Sequence, residues 1–196
     1  MTAAMCQRLI AVALLAAATM VVVGAGIAQA QLPVRHSIYR QYIDPFAAPG
    51  WVPNRTDMGV DWLVTRPRPV VAIGDAVILG SNSRDTGWPG GHFIWYRLLD
   101  GSHAGDVIYV AEHLKHLLAA GVHVRAGQKI AEALPGGTGT EWGWADADGA
   151  TRAHPCYYEG EQTASGKDMA RFMKSLGATV GDPPGRGPNA PFGKLC

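Results

Sequence analysis

Short apolar runs alternate with polar turn residues through the middle of this chain, and the runs are strand-sized. They are "RPVVAIGDAVILGS" at 68–81, "GHFIWYRLLDG" at 91–101, "GDVIYVAEHL" at 105–114 and "QKIAEAL" at 128–134. Val, Ile, Tyr and Trp concentrate in them, and regular spacing between turn residues predicts a compact antiparallel β domain. "HLKHLLAAG", residues 113–121, reads instead as a short helix ending at Gly121, because glycine is a common residue just past a helix C-terminus. In "TASGKDMARFMKSLGA", Met169, Phe172, Met173 and Leu176 recur at helical spacing while Lys167, Arg171 and Lys174 fall elsewhere. That pattern predicts an amphipathic helix over about 164–177, packed on the domain edge. Two stretches predict no regular element. Residues 31–54 are broken by Pro33, Pro45, Pro49 and Pro53, and the tail "GDPPGRGPNAPFGKLC" is rich in Pro and Gly.

Residues 1–30 stand apart from that pattern. "MTAAMCQR" carries Arg8 and no acid, an apolar run extends from Leu9 to about Ile27, and "AQA" closes at Ala30. A basic start, an apolar stretch and a small-x-small site predict a signal peptide. The run also approaches the roughly 20 apolar residues of a membrane span, so an uncleaved anchor is the alternative. In either case the remaining chain is expected to be exported, secreted or held in the cell envelope.

Losing residues 1–30 removes one of 17 basic residues and none of the 16 acidic ones, leaving a formally neutral chain. Such a chain lacks the electrostatic footprint of a nucleic-acid binder. About 166 residues then suit one domain with short extensions. Cys6 lies in the targeting segment, so Cys156 and Cys196 are left to pair in an oxidising compartment. Their disulfide would close a loop of about 40 residues, worth roughly 4 kcal/mol in the chain-entropy picture. Two free thiols, or Cys196 pairing elsewhere, are the alternatives.

The candidate chemistry begins at "RTDMGVDW", where Asp57 and Asp61 lie four positions apart around Gly59. Alone, the stretch could be a polar turn leading into a strand. It is followed by "AIGDAVILG" at 72–80, "GVHVRAGQKIAE" at 121–132 and "TGTEWGWAD" at 138–146. The four stretches, in that order, resemble motifs of the lysostaphin-like zinc endopeptidases of bacterial cell walls. "DMGVD" resembles the His-x-Gly-x-Asp metal motif, and "AIGDAVILG" the strand pair that follows it. "GVHVRAGQKIAE" resembles the x-Val-x-x-Gly-Gln-x-Ile hairpin, and "TGTEWGWAD" the closing Thr-Gly-x-His-x-His strand. The hairpin also occurs in lipoyl and biotinyl carrier domains, but Lys129 lies one residue into the strand rather than at the tip. The resemblance implies a mainly β, antiparallel barrel-sandwich hybrid (a duplicated hybrid motif) over residues 55–150. An irregular extension at 31–54 would precede it, and a C-terminal extension with the helix would follow over 151–196.

The resemblance also implies a site. In the family, zinc is held by the first His, the Asp and the second closing His. Carried over, the metal positions are Asp57 and Asp61, Glu141 takes the first closing His, and Gly143 takes the second. The middle-strand His falls on Glu112 or His113, and strand alternation lets only one of these face the site. Glu112, His113 and Glu141 are thus the family-equivalent catalytic positions.

Catalytic zinc has three protein ligands and lowers the pKa of its water to about 7. With one ligand gone and one imidazole exchanged for a carboxylate, weak or absent zinc binding and no peptidase activity are expected. The acids suit other roles: a hard cation such as Ca²⁺, sugar hydroxyls or amines of a wall glycopeptide, a glycosidase carboxylate pair, or simple pairing with Arg55. Trp142 and Trp144 share one strand face, opposite Glu141 and Gly143. With Arg55 they are candidate ligand-binding residues, core packing being the other reading of the tryptophans. The expected function is an exported, non-catalytic module that binds peptidoglycan or regulates a wall hydrolase. An active wall hydrolase with non-standard ligands and a ligand-free structural envelope protein are the alternatives.

Overall fold

The computed structural model describes residues 42–84, 92–137, 139–153, 157–158, 160–182 and 194–195. Residues 1–30, expected to be a signal peptide or anchor, lie outside the described residues, as do Cys156 and Cys196.

The chain is mainly β, as the apolar pattern predicts. Strands β1 (Trp51–Thr56), β2 (Val60–Val64), β3 (Arg68–Val71), β4 (Ala76–Asn82), β5 (Phe93–Leu98) and β6 (Val107–Ala111) come first. They are followed by β7 (Leu114–Lys115), β8 (His123–Val124), β9 (Lys129–Ala133), β10 (Thr140–Ala145), β11 (Tyr157–Tyr158), helix α1 (Ala164–Ser175) and β12 (Lys194–Leu195). A seven-stranded sheet runs in the order β1-β2-β10-β6-β5-β4-β8, and a three-stranded sheet in the order β3-β9-β7. All pairings are antiparallel. Ile78, Tyr96, Val110, Trp62 and Trp142 of the large sheet share one core with Val70, Ile130 and Ala133 of the small one and with Met169, Phe172 and Met173 of α1.

The first strand starts at Trp51, inside the stretch expected to be irregular. Pro53 is tolerated because β1 is the edge of its sheet, where a missing N–H breaks no inner ladder. Phe46, from the segment before it, stacks on Trp62 with ring centroids 3.5 Å apart, so this approach is packed. The short helix expected over 113–121 does not form. Leu114 and Lys115 pair with Ala133 and Glu132 as β7. The backbone is left-handed at Glu112, His113 and His116 (φ 68°, 48° and 55°), which no right-handed helix accommodates.

The C-terminal helix forms where the periodicity places it. Thr163 caps it, its hydroxyl accepting from the Gly166 N–H at 3.0 Å, and Gly177 ends it at φ 102°. Met169, Phe172 and Met173 are buried, while Lys167, Arg171 and Lys174 are exposed. The helix docks by backbone. Thr163 N–H donates to the Asp57 carbonyl at 3.0 Å, and a Cβ on Gly166 would stand 1.9 Å from that same oxygen.

Antiparallel β11 and β12 set Tyr157 against Leu195 and Tyr158 against Lys194. From the cysteine count alone, non-reducing peptide mapping is expected to recover Cys156 and Cys196 in one disulfide-linked peptide pair, and two free thiols would refute the pairing.

A second outcome follows from the helix docking. Gly166→Ala gains about 1 kcal/mol of helix propensity, but the backbone contact at Asp57 cannot yield as a side chain does. Overpacking costs typically 1–3 kcal/mol, and this contact is closer than any ordinary one. A net loss of about 2 kcal/mol is expected in urea denaturation, whereas an unchanged midpoint would show that α1 docks otherwise.

Candidate functional site

The β1–β2 hairpin and β10 build the acidic corner. β10 pairs with β2 so that Glu141 lies opposite Asp61, and with β6 so that Glu141 lies opposite Ala111. Directly opposed residues of an antiparallel pair point to the same face. Asp61, Glu141 and Ala111 therefore form one row on a single face of the large sheet. Asp57 joins them from the hairpin, its Oδ1 accepting from the Met58 N–H at 2.7 Å. Candidate ligand oxygens of Asp57, Asp61 and Glu141 all lie within 4.8 Å of one another. Exposures of 2 %, 0 % and 5 % place all three below the surface.

Gly59 makes the corner possible. A Cβ there would stand 2.5 Å from the Trp142 carbonyl and 2.9 Å from the Glu141 carboxyl carbon, so only glycine lets the hairpin close on β10.

Arg55 occupies the centre of the charge. Its Nε lies 2.9 Å from Asp61 Oδ2 and 3.2 Å from Asp57 Oδ2, with the side chain 18 % exposed. Arg55, expected as a ligand-binding residue or as the partner of these acids, turns its charge toward the protein's own acids. Asp61 Oδ1 is buried with no hydrogen-bond partner. Burial, against the opposing pull of Arg55 and with the added repulsion of Asp57, pushes Asp61 up to about 8. Burial and the charges of Asp61 and Asp57 push Glu141 well above the usual carboxylate range.

Tyr109 is the residue that sequence reasoning missed. It lies on β6 opposite Gly143, and its phenol donates a short hydrogen bond to Glu141 Oε1. Burial first, then the charge of Glu141, holds the phenol well above its ordinary value and hence protonated. A Cβ on Gly143 would stand 2.3 Å from Cε1, Cζ and Oη of that ring. The phenol thus fills the space that a side chain at 143 would need. A glycine inside a strand signals close approach of a neighbour, and that signal was present in "TEWGWA".

The remaining candidates are dispersed. β6 ends at Ala111, so the strand position opposite Glu141 carries a methyl group, and the alternation argument does not reach Glu112 or His113. Glu112 is half-buried and its charge is felt by Asp61 and Glu141. His113 is exposed, its ring against Gly136 and Gly137, where a Cβ on Gly137 would meet Nε2 at 2.3 Å. Trp142 and Trp144 are 0 % and 4 % exposed and belong to the core between the sheets and α1. Of the two readings of these tryptophans, core packing matches their burial: they face the core, on the other side of β10 from Glu141.

A catalytic zinc does not fit these donors. Among the described residues no histidine or cysteine joins the three carboxylates, and position 143 offers no ligand atom. An ion held by Asp57 and Asp61 would also lie against the guanidinium that already binds the same two side chains, a like-charge contact that the site would have to overcome.

No protein-family model and no curated protein matches the sequence. Among solved structures, the chain is similar to the NMR solution structure of lysostaphin, at 20 % identity and a TM-score of 0.46. The match covers 78 % of this chain and 62 % of that one, so the chain spans less than two thirds of that protein's length.

The raised acids carry a sign for stability. The folded corner keeps protons that the unfolded chain releases above the ordinary carboxylate range. Their contribution is thus complete below about pH 4 and is lost as pH rises toward about 8 for Asp61. Each retained proton gives a slope of about 1.4 kcal/mol per pH unit. Urea midpoints are expected to fall between pH 5 and pH 8, with Asp61→Asn plus Glu141→Gln flattening the fall. A double variant as steep as wild type would place the titration elsewhere.

Proposed function

We propose that this chain is an exported, non-catalytic domain of metallopeptidase type that binds peptidoglycan or regulates a wall hydrolase. One observation carries the reading. The corner that aligns with the family's metal motif holds three buried carboxylates, two of them bridged from within by Arg55, with no imidazole among the described residues to complete a metal set.

Both hydrolytic alternatives lose ground on the same geometry. Zinc chemistry needs a ligand set with an open position for water, and position 143 supplies no donor. A glycosidase pair must flank the scissile bond from both sides. Asp61 and Glu141 are 0 % and 5 % exposed, so a sugar ring cannot enter between them.

Support for the wall as partner comes from the chain's own pattern. The N-terminal segment has the form of an export signal, and the four motif stretches occur in family order. Among the described residues no helix is long and apolar enough to cross a membrane. The sheet face that bears Tyr109 and Ala111 continues onto β5, where Trp95 and Phe93 lie opposite them. Both rings are partly exposed and stacked, centroids 5.0 Å apart. A flat aromatic pair beside the corner suits the faces of wall sugars.

Two assays on the same preparation separate binding from hydrolysis. The protein is expected to sediment with purified peptidoglycan and to release no soluble wall fragments with or without added zinc. Phe93→Ala is expected to reduce the bound fraction several-fold. Fragment release that depends on Asp61 would overturn the reading, and so would failure to sediment together with failure to alter a wall hydrolase.

A further inference from the structure

We propose that Arg55 is the resident cation of this corner, its guanidinium standing where the family's motif places a metal. The inference rests on reading the corner as a former metal site and is independent of whether the domain binds the wall.

Three observations converge on it. First, the guanidinium is shared: one Nε approaches both Asp57 and Asp61, the two side chains aligned with metal ligands. A fixed positive charge between two buried acids does electrostatically what a bound ion would do there. Second, the ligand position lost at Gly143 is filled by the Tyr109 phenol, which donates to Glu141 and leaves no gap for an incoming side chain. The corner is thus closed by two of the chain's own groups, a cation and a proton donor.

Third, Arg55 is held in place by a segment outside the family pattern. The Thr56 N–H donates to the Asp182 carbonyl at 3.2 Å, and the Thr56 hydroxyl donates to the Gly181 carbonyl at 2.6 Å. Gly181 lies against Asn54 and Arg55 so closely that a Cβ would stand 2.4 Å from the Asn54 carbonyl carbon and 2.6 Å from the Arg55 nitrogen. The Trp62 indole donates to the Thr179 carbonyl at 3.2 Å on the same flank. The stretch after α1 therefore straps the β1 backbone on both sides of Arg55 and fixes where its side chain starts. The C-terminal extension and the internal cation form one device.

The device predicts a latent cation site. Removing the guanidinium leaves Asp57, Asp61 and Glu141 with converging oxygens, including the unpartnered Asp61 Oδ1, a donor set for a hard cation rather than for zinc.

The test titrates the metal-stripped full chain, wild type beside Arg55→Gln and Arg55→Lys, with Tb³⁺. Luminescence sensitised by the buried tyrosine and tryptophan side chains reports occupancy. Calorimetry with Zn²⁺ runs in parallel. Wild type and Arg55→Lys are expected to show no saturable binding below millimolar. Arg55→Gln should bind Tb³⁺ about 100-fold more tightly or better, the scale of removing a like charge a few ångströms from an ion in a partly buried site. Wild type binding Tb³⁺ or Zn²⁺ as tightly as Arg55→Gln overturns the proposal, and so does an Arg55→Gln that folds and binds neither. If Arg55→Gln does not fold alone, recovery of its cooperative thermal transition in millimolar Ca²⁺ or Tb³⁺ supports the proposal, and no recovery overturns it. Release of wall fragments is a separate readout that bears on the non-catalytic reading alone.

Discussion

Arg55 between Asp57 and Asp61 is the interaction on which the surrounding architecture depends. An uncompensated buried carboxylate costs several kcal/mol even after relaxation, and this corner buries three. One guanidinium and retained protons are what make that tolerable. Their geometry is demanding, and the chain meets it with missing side chains. Gly59 lets the β1–β2 hairpin close on β10, Gly143 lets the Tyr109 ring reach Glu141, and Gly166 and Gly181 let the C-terminal extension lie directly on the β1 backbone. None of the four contacts has room for a Cβ. The glycines around the corner are thus explained by contact distances.

Most of the large-scale architecture was legible from pattern. Runs rich in Val, Ile, Tyr and Trp between turn residues marked β4, β5, β6 and β9: β4 and β5 bury alternate positions, whereas β6 is buried at all five and reads as a continuous apolar run. Trp142 and Trp144 fell on one face of β10 and Glu141 on the other by strand alternation. The amphipathic helix was legible because Met169, Phe172 and Met173 all face one core. The misreading at 113–121 has a physical cause. Leu114, Leu117 and Leu118 carry helical spacing, yet they pack on the core from a bent, left-handed-rich segment instead of from one helix face. Apolar spacing reports which residues are buried, and two backbones can bury the same three leucines.

The site was legible only in part, and the division follows from what spacing encodes. Asp57, Asp61 and Glu141 came from motif resemblance, which carries positions along the chain. Tyr109 did not, because its role depends on the register between β6 and β10, information held in no local stretch. Arg55 was noticed as a neighbour of the acids, but its role as the shared partner of both depends on the strap at residues 179–182, more than a hundred positions away. The choice between Glu112 and His113 could not be read from strand alternation for a related reason. It assumed a strand that continues, whereas the backbone turns at Glu112 and leaves Ala111 as the inward position.

Stability alone does not call for such a corner. Replacing buried ion pairs by well-packed apolar side chains is often neutral or favourable, and Val, Leu or Phe could fill this volume without needing retained protons. The proposal that Arg55 is the resident cation accounts for the corner with the chain's own groups. Each remaining carboxylate then keeps a reason to be where it is: Asp57 and Asp61 hold the guanidinium, and Glu141 holds the phenol. Closed in this way, the corner leaves the pairing of β2, β10 and β6 around it intact. Beside it, the stacked Phe93 and Trp95 rings of β5 stay partly exposed, so the closed corner and the open aromatic pair lie on one sheet face.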